Sequence, residues 1–170
     1  MTAWLAGRTV RLVGDRPVIA SALARHGARL AASNDEDCDG LIHVAQPNPA
    51  TPAHQISHEV WRASLDAGLD SRFLLAQAFA RRRRALRKPG AIVFVGEPEQ
   101  ALGADHAAAA GACANLVKTL GVEWARDGIR VNAVLTATDD DALGALVAYL
   151  TSDYAAYVTG AVMGVGLADV

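Results

Sequence analysis

Short apolar runs alternate along the chain with longer segments of helical spacing. Runs of this kind, rich in valine, leucine and isoleucine, are typical of buried strands in βα units, where helices cover both faces of a parallel sheet. The pattern therefore predicts one α/β domain of three layers over residues 1–170. The predicted strands are Thr9–Val13, Arg29–Ala32, Gly40–Ala45, Ala91–Val95, Ile129–Leu135 and Ala161–Val165.

Four segments between these strands carry apolar residues three or four positions apart, which predicts helices. We expect Asp15 to be the N-cap of the first helix and Gly27 to end it. The third helix opens with small residues at 107–112, which permit close contact between helices. The predicted helices are Asp15–Arg25, Trp61–Arg84, Asp105–Arg126 and Asp139–Leu150.

Composition narrows the function classes. The net charge of -2 gives no overall basic field for nucleic acid or an anionic membrane. The two cysteines, Cys38 and Cys113, indicate neither a disulfide framework nor a cysteine-rich metal site. No apolar run is long enough to cross a bilayer, and the first residues do not resemble a signal peptide. We therefore expect a cytoplasmic protein.

Two long segments resemble the short-chain dehydrogenase/reductase family. Residues 116–134, LVKTLGVEWARDGIRVNAV, are similar to the family's active-site helix and the strand after it. Residues 145–165, ALVAYLTSDYAAYVTGAVMGV, are similar to its last helix and final strand. Shorter matches occur at Leu5–Val10, Trp61–Phe79 and Gly90–Val93. The resemblance implies a Rossmann-like, doubly wound parallel sheet.

Two blocks of the family pattern have no counterpart in the sequence. Between Ser33 and Gly40 there is no room for the helix, strand and helix that the family places there. Between Thr138 and Asp141 there is no room for the segment that covers the substrate. The resemblance therefore implies a sheet that lacks one edge strand and a site that lacks its lid.

The glycine-rich loop that binds the cofactor diphosphate in the family is altered here. Its place reads Gly14, Asp15, Arg16 and Pro17. Pro17 lacks a backbone donor, and the Asp15 carboxylate would repel a diphosphate by about 4 kcal/mol at ~4 Å. Arg16 could offset part of this repulsion. We expect the chain to bind no NAD or NADP, with Asp15 serving as a helix cap instead.

The family's catalytic residues are also replaced. The resemblance implies a Tyr and a Lys where this chain has His106 and Ala110, a Ser where it has Glu97, and an Asn where it has Gly68. The family's Asn-Asn-Ala-Gly motif corresponds to His43–Gln46. Because none of the four proton-handling roles is filled, the resemblance implies loss of dehydrogenase activity.

Other residues allow alternatives. His106 and Glu97 could form an acid/base pair, although an exposed histidine at a helix start is the simpler interpretation. His54 and His58 have i, i+4 spacing without an obvious third ligand, so we expect no metal site. Cys113 fits a small packing residue better than a nucleophile.

The basic run Arg81–Arg84, with Arg87 and Lys88, could bind a phosphate. We favour a solvated helix C-terminus that complements the helix macrodipole.

The favoured hypothesis is a non-catalytic subunit, either a homo-oligomer or a partner of an active dehydrogenase. We expect assembly through Trp61–Arg84, Asp105–Arg126 and the last strand, with the small residues near Ala112 in the contact and Phe73, Phe79, Leu116 and Leu120 as its apolar area. The alternative hypothesis is a residual oxidoreductase-like or cofactor-independent enzyme that uses His106 and Glu97. Neither includes a cofactor, a nucleic acid or a membrane.

Overall fold

The protein forms a parallel β-sheet with helices on both faces. The structure, a computed structural model, describes residues 3–33, 36–45, 51–97 and 103–166. In these ranges six strands form one sheet in the order β2-β1-β3-β4-β5-β6, and every neighbouring pair is parallel. The strands are β1 (Thr9–Val13), β2 (Arg29–Leu30), β3 (Gly40–Val44), β4 (Gly90–Gly96), β5 (Ile129–Thr136) and β6 (Val162–Val165). The six predicted strands are confirmed.

The helices follow the predicted order. They are α1 (Pro17–Arg25), α2 (His58–Leu65), α3 (Ser71–Leu86), α4 (Ala104–Glu123) and α5 (Asp141–Thr151). A π-helical turn, Asp66–Asp70, joins α2 to α3. The prediction that Asp15 caps α1 is wrong, because the N-cap is Arg16 and its side chain makes no capping bond. Within the described ranges, no helix has the length and apolar character needed to cross a membrane.

Two apolar cores, one on each face of the sheet, make the three layers. One core joins α1 and α5 to the sheet through Ile19, Leu23, Leu143 and Val147. The other joins α3 and α4 to the opposite face and includes Phe79. β3 and β4 are buried along their whole length, because helices cover both of their faces.

The sheet topology places a site at the carboxyl ends of the central strands. From β1 the chain runs outward to β2 on one side and then returns to β3 on the other, so the winding direction reverses between β1 and β3. Ligands of doubly wound sheets bind at such a reversal. In the described residues no strand lies outside β2, and only four residues separate β5 from α5. The predicted loss of an edge strand and of the covering segment is confirmed.

The basic run at the end of α3 is not a fully solvated helix end. Arg83 is 2% exposed, and its guanidinium donates to the carbonyl oxygens of Pro89 and Cys38 and pairs with Asp37 and Asp39. Lys88 also pairs with Asp37, at 3.2 Å. The prediction of a solvated basic end is therefore wrong for Arg83, which fastens α3 to the segment before β3.

Candidate functional site

A cavity of about 280 Å³ lies at the carboxyl ends of β3, β4 and β5, on the α2–α4 side of the sheet. Gly68, Glu97, His106 and Ala110, which the family resemblance assigned to catalysis, all border it. Of the altered loop after β1, Gly14 reaches the same cavity. The structure therefore brings together residues that the sequence connected only through a motif comparison.

The π-turn shapes one wall of this cavity. Gly68 lies in the π-turn and faces α4, where a Cβ added to Gly68 would lie only 3.0 Å from the Cβ of Ala109. The missing side chain therefore lets the π-turn approach α4 closely. Ala109, Ala110 and Cys113 continue the wall along α4 and make it predominantly apolar.

A buried carboxylate holds the start of α4. Asp105 is 1% exposed; it accepts a hydrogen bond from the Ser64 hydroxyl at 2.5 Å, and its second oxygen lies 3.1 Å from Nδ1 of His106. Burial by itself raises the pKa of Asp105, but the hydrogen bonds from Ser64 and His106 outweigh this effect and lower the pKa below its usual value. Asp105 is therefore ionised at neutral pH.

This carboxylate fixes the orientation of His106. An ionised carboxylate can only accept, so Nδ1 of His106 carries the proton and donates to Asp105. In the neutral ring Nε2 is then the basic nitrogen, and it is buried without a hydrogen-bond partner in the described residues. The interpretation of His106 as an exposed histidine is wrong, because its side chain is 15% exposed. Its carboxylate partner is Asp105 and not the predicted Glu97.

Arg72 brings a positive charge to the cavity from α3. The residue is 5% exposed, and Nη2 donates to the carbonyl oxygen of Val95 at 2.9 Å. Its guanidinium lies 5.8 Å from the ring centre of Phe94. No carboxylate of a described residue lies within ion-pairing distance of Arg72. The cavity wall therefore contains a buried cation without a counter-ion in the described residues.

The neighbours of Arg72 are uncharged. Nε of Arg72 points to Nδ1 of His43 at 3.4 Å. Burial, together with the nearby Arg72 charge, lowers the pKa of His43 to about 4, so this ring is neutral at pH 7. Burial raises the pKa of the Cys113 thiol, although Arg72 opposes this effect. Cys113 is therefore a buried thiol, in agreement with its predicted packing role.

The loop between β1 and α1 presents few groups to an anion. Pro17 begins α1 without a backbone donor, and the amides of Ile19 and Ala20 both donate to the Arg16 carbonyl oxygen. The Arg16 side chain pairs with Asp139 at 3.5 Å and so does not compensate the exposed Asp15. The Ala20 bond is the usual first bond of a helix. This helix start therefore differs from an ordinary one in the missing amide proton of Pro17, the bonded amide of Ile19 and the nearby carboxylate of Asp15.

His54 and His58, which have i, i+4 spacing, do not share a helix. His54 lies in the 3-10 turn Ala53–Gln55, whereas His58 is the first residue of α2. Across the described ranges, no group of three or more His, Cys, Asp or Glu side chains is positioned to hold a metal ion. Gln46, which corresponds to the end of the family's Asn-Asn-Ala-Gly motif, lies outside the described residues.

Arg72, Ser64 and Asp105 were not expected from the sequence to be site residues. Arg72 had a detectable signal, because it lies four positions before the buried Ala76 and seven before the buried Phe79. An arginine in helical register with buried apolar residues is expected to be buried itself, and a buried arginine is unusual unless its charge is paired. Ser64 and Asp105 carried no comparable signal, since their contact spans 41 positions.

Comparison with known proteins agrees with the fold. A dehydrogenase/reductase structure from Mycobacterium marinum superposes with a TM-score of 0.85 at 18% identity, covering 98% of this chain and 98% of that chain. Cis-4-hydroxycyclohexanecarboxylate dehydrogenase of Sinomonas cyclohexanicum is 29% identical over 167 residues, which cover 79% of this chain and 67% of that protein. The 2-dehydro-3-deoxy-D-gluconate 5-dehydrogenase of Pseudoalteromonas atlantica is 28% identical over 159 residues. This match covers 74% of this chain and 62% of that protein.

Membership of a family rests on a match over most of the chain. The model of the family described as enoyl-(acyl carrier protein) reductase matches residues 25–138. This range includes β3 to β5 and all of the helices that border the cavity. The chain therefore belongs to the short-chain dehydrogenases/reductases, and within them it matches the enoyl-(acyl carrier protein) reductase model.

Proposed function

We propose that this chain is a short-chain dehydrogenase/reductase homologue that does not turn over a nicotinamide cofactor and serves as a non-catalytic subunit. The observation that carries the proposal is the chemistry of the four cavity positions. Gly68 and Ala110 have no functional group, and His106 and Glu97 replace a phenol and a hydroxyl. Hydride transfer in the family needs the phenol and the neighbouring ammonium to handle the substrate proton.

The residues of the β1–α1 loop do not fit a dinucleotide diphosphate. A helix N-terminus holds an anion through free amides and its positive dipole end. Here Pro17 has no amide proton, two further amides bond to Arg16, and the exposed Asp15 adds negative charge. Arg16 is engaged with Asp139. These features favour a loop that has lost cofactor binding.

Exposed apolar side chains favour assembly through α2, α3 and α4. Leu74 is 59% exposed and Val122 is 78% exposed, and both lie on these helices. Phe73 is also exposed, as the predicted interface requires, whereas Phe79 and Leu120 are buried in the core and were wrongly assigned to the contact. A contact between these helices and those of a second copy, or of an active homologue, would cover this surface.

The test combines cofactor binding, turnover and native mass. Calorimetry with NAD and NADP at millimolar concentration should show no saturable heat. Absorbance should show no reduced cofactor formed from NAD or NADP with alcohols, and no NADH or NADPH consumed with ketones. Light scattering should give a mass above that of one chain. A micromolar dissociation constant for either cofactor, or steady turnover, would contradict the proposal.

A second candidate function is proton transfer without a cofactor. It is favoured by the Asp105–His106 pair, which leaves a buried Nε2 atom as the basic nitrogen beside the cavity. The chemistry open to such a base is removal of a proton next to a carbonyl group. Deuterium exchange at the α-carbon of cyclohexanone, followed by NMR, tests this role. Exchange above background that His106→Gln abolishes would support it, whereas equal exchange in the two proteins would exclude it.

A further inference from the structure

We infer that the cavity binds a small organic carboxylate, whose anionic group pairs with Arg72 and whose apolar body lies along α4. This ligand site goes beyond the subunit role proposed above and does not depend on it. Three features support such a site: the charge of Arg72, the N–H groups that its bonds to oxygen and nitrogen leave available, and the shape and chemistry of the cavity wall.

Arg72 places a buried positive charge in the cavity wall. A buried ion without a partner is costly, and proteins normally pair it or neutralise it. The guanidinium of Arg72 cannot lose its proton at physiological pH. Of the described acidic residues, Glu97 borders the cavity beyond ion-pairing distance of Arg72, and Asp105 is held by Ser64 and His106. A bound anion would supply the missing counter-charge.

The guanidinium of Arg72 has N–H groups that a ligand could use. The carbonyl oxygen of Val95 accepts a hydrogen bond from Nη2 of Arg72, and Nδ1 of His43 lies 3.4 Å from Nε. The Cys113 thiol also makes a side-chain hydrogen bond with the guanidinium. A thiol is a weak acceptor, so a carboxylate, whose two oxygens match the planar fork of a guanidinium, can replace it. The absence of a side chain at Gly96 leaves room beside the guanidinium, because a Cβ added to Gly96 would lie 3.2 Å from Nη2 of Arg72 and 3.8 Å from its Nη1. A side chain at position 96 would press against the guanidinium.

The rest of the cavity wall favours a ligand with an apolar body and a single negative charge. This wall includes the apolar side chains of Phe94, Ala109 and Leu135 and the thiol of Cys113. An apolar cavity of roughly 150 Å³ holds benzene, so about 280 Å³ has room for a ring that bears a carboxylate. A cavity whose wall contains one guanidinium and also the carboxylate of Glu97 is a poor site for a multiply charged phosphate. The chemistry therefore favours a monocarboxylic acid.

Benzoate and benzamide are the matched probes, because they share a shape and differ in charge. Titration calorimetry at pH 7 on the full chain should show saturable binding of benzoate at least about tenfold tighter than binding of benzamide. Arg72→Met should weaken benzoate by at least about tenfold. Arg81→Met, which changes an exposed arginine of the same helix, should leave the affinity unchanged. Equal affinity for the two probes, or no benzoate binding to the wild type, would overturn the inference.

A second measurement does not depend on the folding of a variant. Burial and, after it, the Arg72 charge lower the pKa of His43, and the ring packs edge-on against the uncharged Phe94. Neutralisation of Arg72 by a bound carboxylate should therefore raise the pKa of His43, as followed by NMR. Saturating benzoate should raise it and benzamide should not. An unchanged His43 pKa with bound benzoate would place the anion elsewhere and contradict the site.

The results also separate this inference from the proposed function. Cofactor turnover by the wild type would remove the non-catalytic role and leave benzoate binding untouched. Absence of benzoate binding in a chain that assembles and ignores NADP would remove the carboxylate site alone.

Discussion

Nδ1 of His106 lies 3.1 Å from Oδ1 of Asp105, its neighbour in sequence, and the second oxygen of Asp105 accepts from Ser64 on α2. This buried carboxylate therefore joins the first turn of α4 to α2 and sets the orientation of the histidine at the cavity. Among the described residues that border the cavity, His106 is held by a carboxylate that is itself held by a hydroxyl group.

Asp105→Asn should lower the free energy of unfolding by about 1–3 kcal/mol, because the amide cannot accept both hydrogen bonds. The folded-state pKa of Asp105 lies below its usual value. Its contribution is therefore present above the unfolded pKa of about 3.9 and is lost as the pH falls through the lower, folded value. Urea unfolding at pH 7 and below pH 4 measures both effects. Asp15→Asn, an exposed change, is the control, and an equal loss in it would contradict the role of Asp105.

His43 should make the protein less stable under mild acid. The unfolded ring binds a proton near pH 6.5, whereas the folded pKa is about 4. The unfolded state therefore takes up more protons between these values, and the free energy of unfolding should fall by up to about 3 kcal/mol as the pH drops through this window. His43→Gln should remove most of this dependence and the exposed His58→Gln should not. The same slope in wild type and His43→Gln would rule out a buried neutral ring.

Arg83→Met should lower the free energy of unfolding by about 3 kcal/mol, because the carbonyls and carboxylates around the buried guanidinium lose their donor. Arg83→Lys should rescue little, since one ammonium cannot reach acceptors that lie on both sides of the fork. Arg81→Met, two positions earlier and exposed, should be within about 0.5 kcal/mol of the wild type. Denaturant unfolding of the three variants tests the difference. A loss in Arg81→Met as large as that in Arg83→Met would show that the buried position has no special role.

Leu74→Glu should dissociate the proposed assembly, because it places a charge on the most exposed leucine of α3. Ala112→Arg, on the small-residue segment of α4, should do the same. Leu30→Glu changes an exposed leucine on β2, outside the proposed contact, and should keep the native mass. Light scattering compares the masses. A monomeric wild type, or two interface variants that retain the full mass, would exclude this interface.

The order of strands and helices could be predicted from the sequence because it depends on local periodicity. Apolar runs such as Ile129–Leu135 are strands in the structure, and the acidic residues before Leu143 do begin a helix, with Asp140 as its cap. Gly27 ends α1 with a positive φ of 84°, which other residues rarely adopt. The absent blocks were also visible, since a strand and two helices cannot fit between Ser33 and Gly40.

Boundaries and caps were less well determined, because neighbouring residues compete for them. Asp15 has the better capping side chain, yet Arg16 occupies the N-cap since Pro17 starts the helix. The π-turn at Asp66–Asp70 had no sequence signal, because its extra residue is accommodated by the packing of Gly68 against α4.

The sequence by itself determined the fold and the missing blocks, because these follow from local spacing and motif order. The replacement of the family's catalytic residues is a prediction from the same motif comparison. Only the tertiary structure decided which side chains meet: that Asp105 and not Glu97 supports His106, that Arg83 is buried, and that Arg72 is a cation without a described counter-ion. The physical reason is that burial and pairing depend on contacts between residues far apart in the chain, such as Ser64 with Asp105 and Arg72 with Val95. No local pattern encodes those distances.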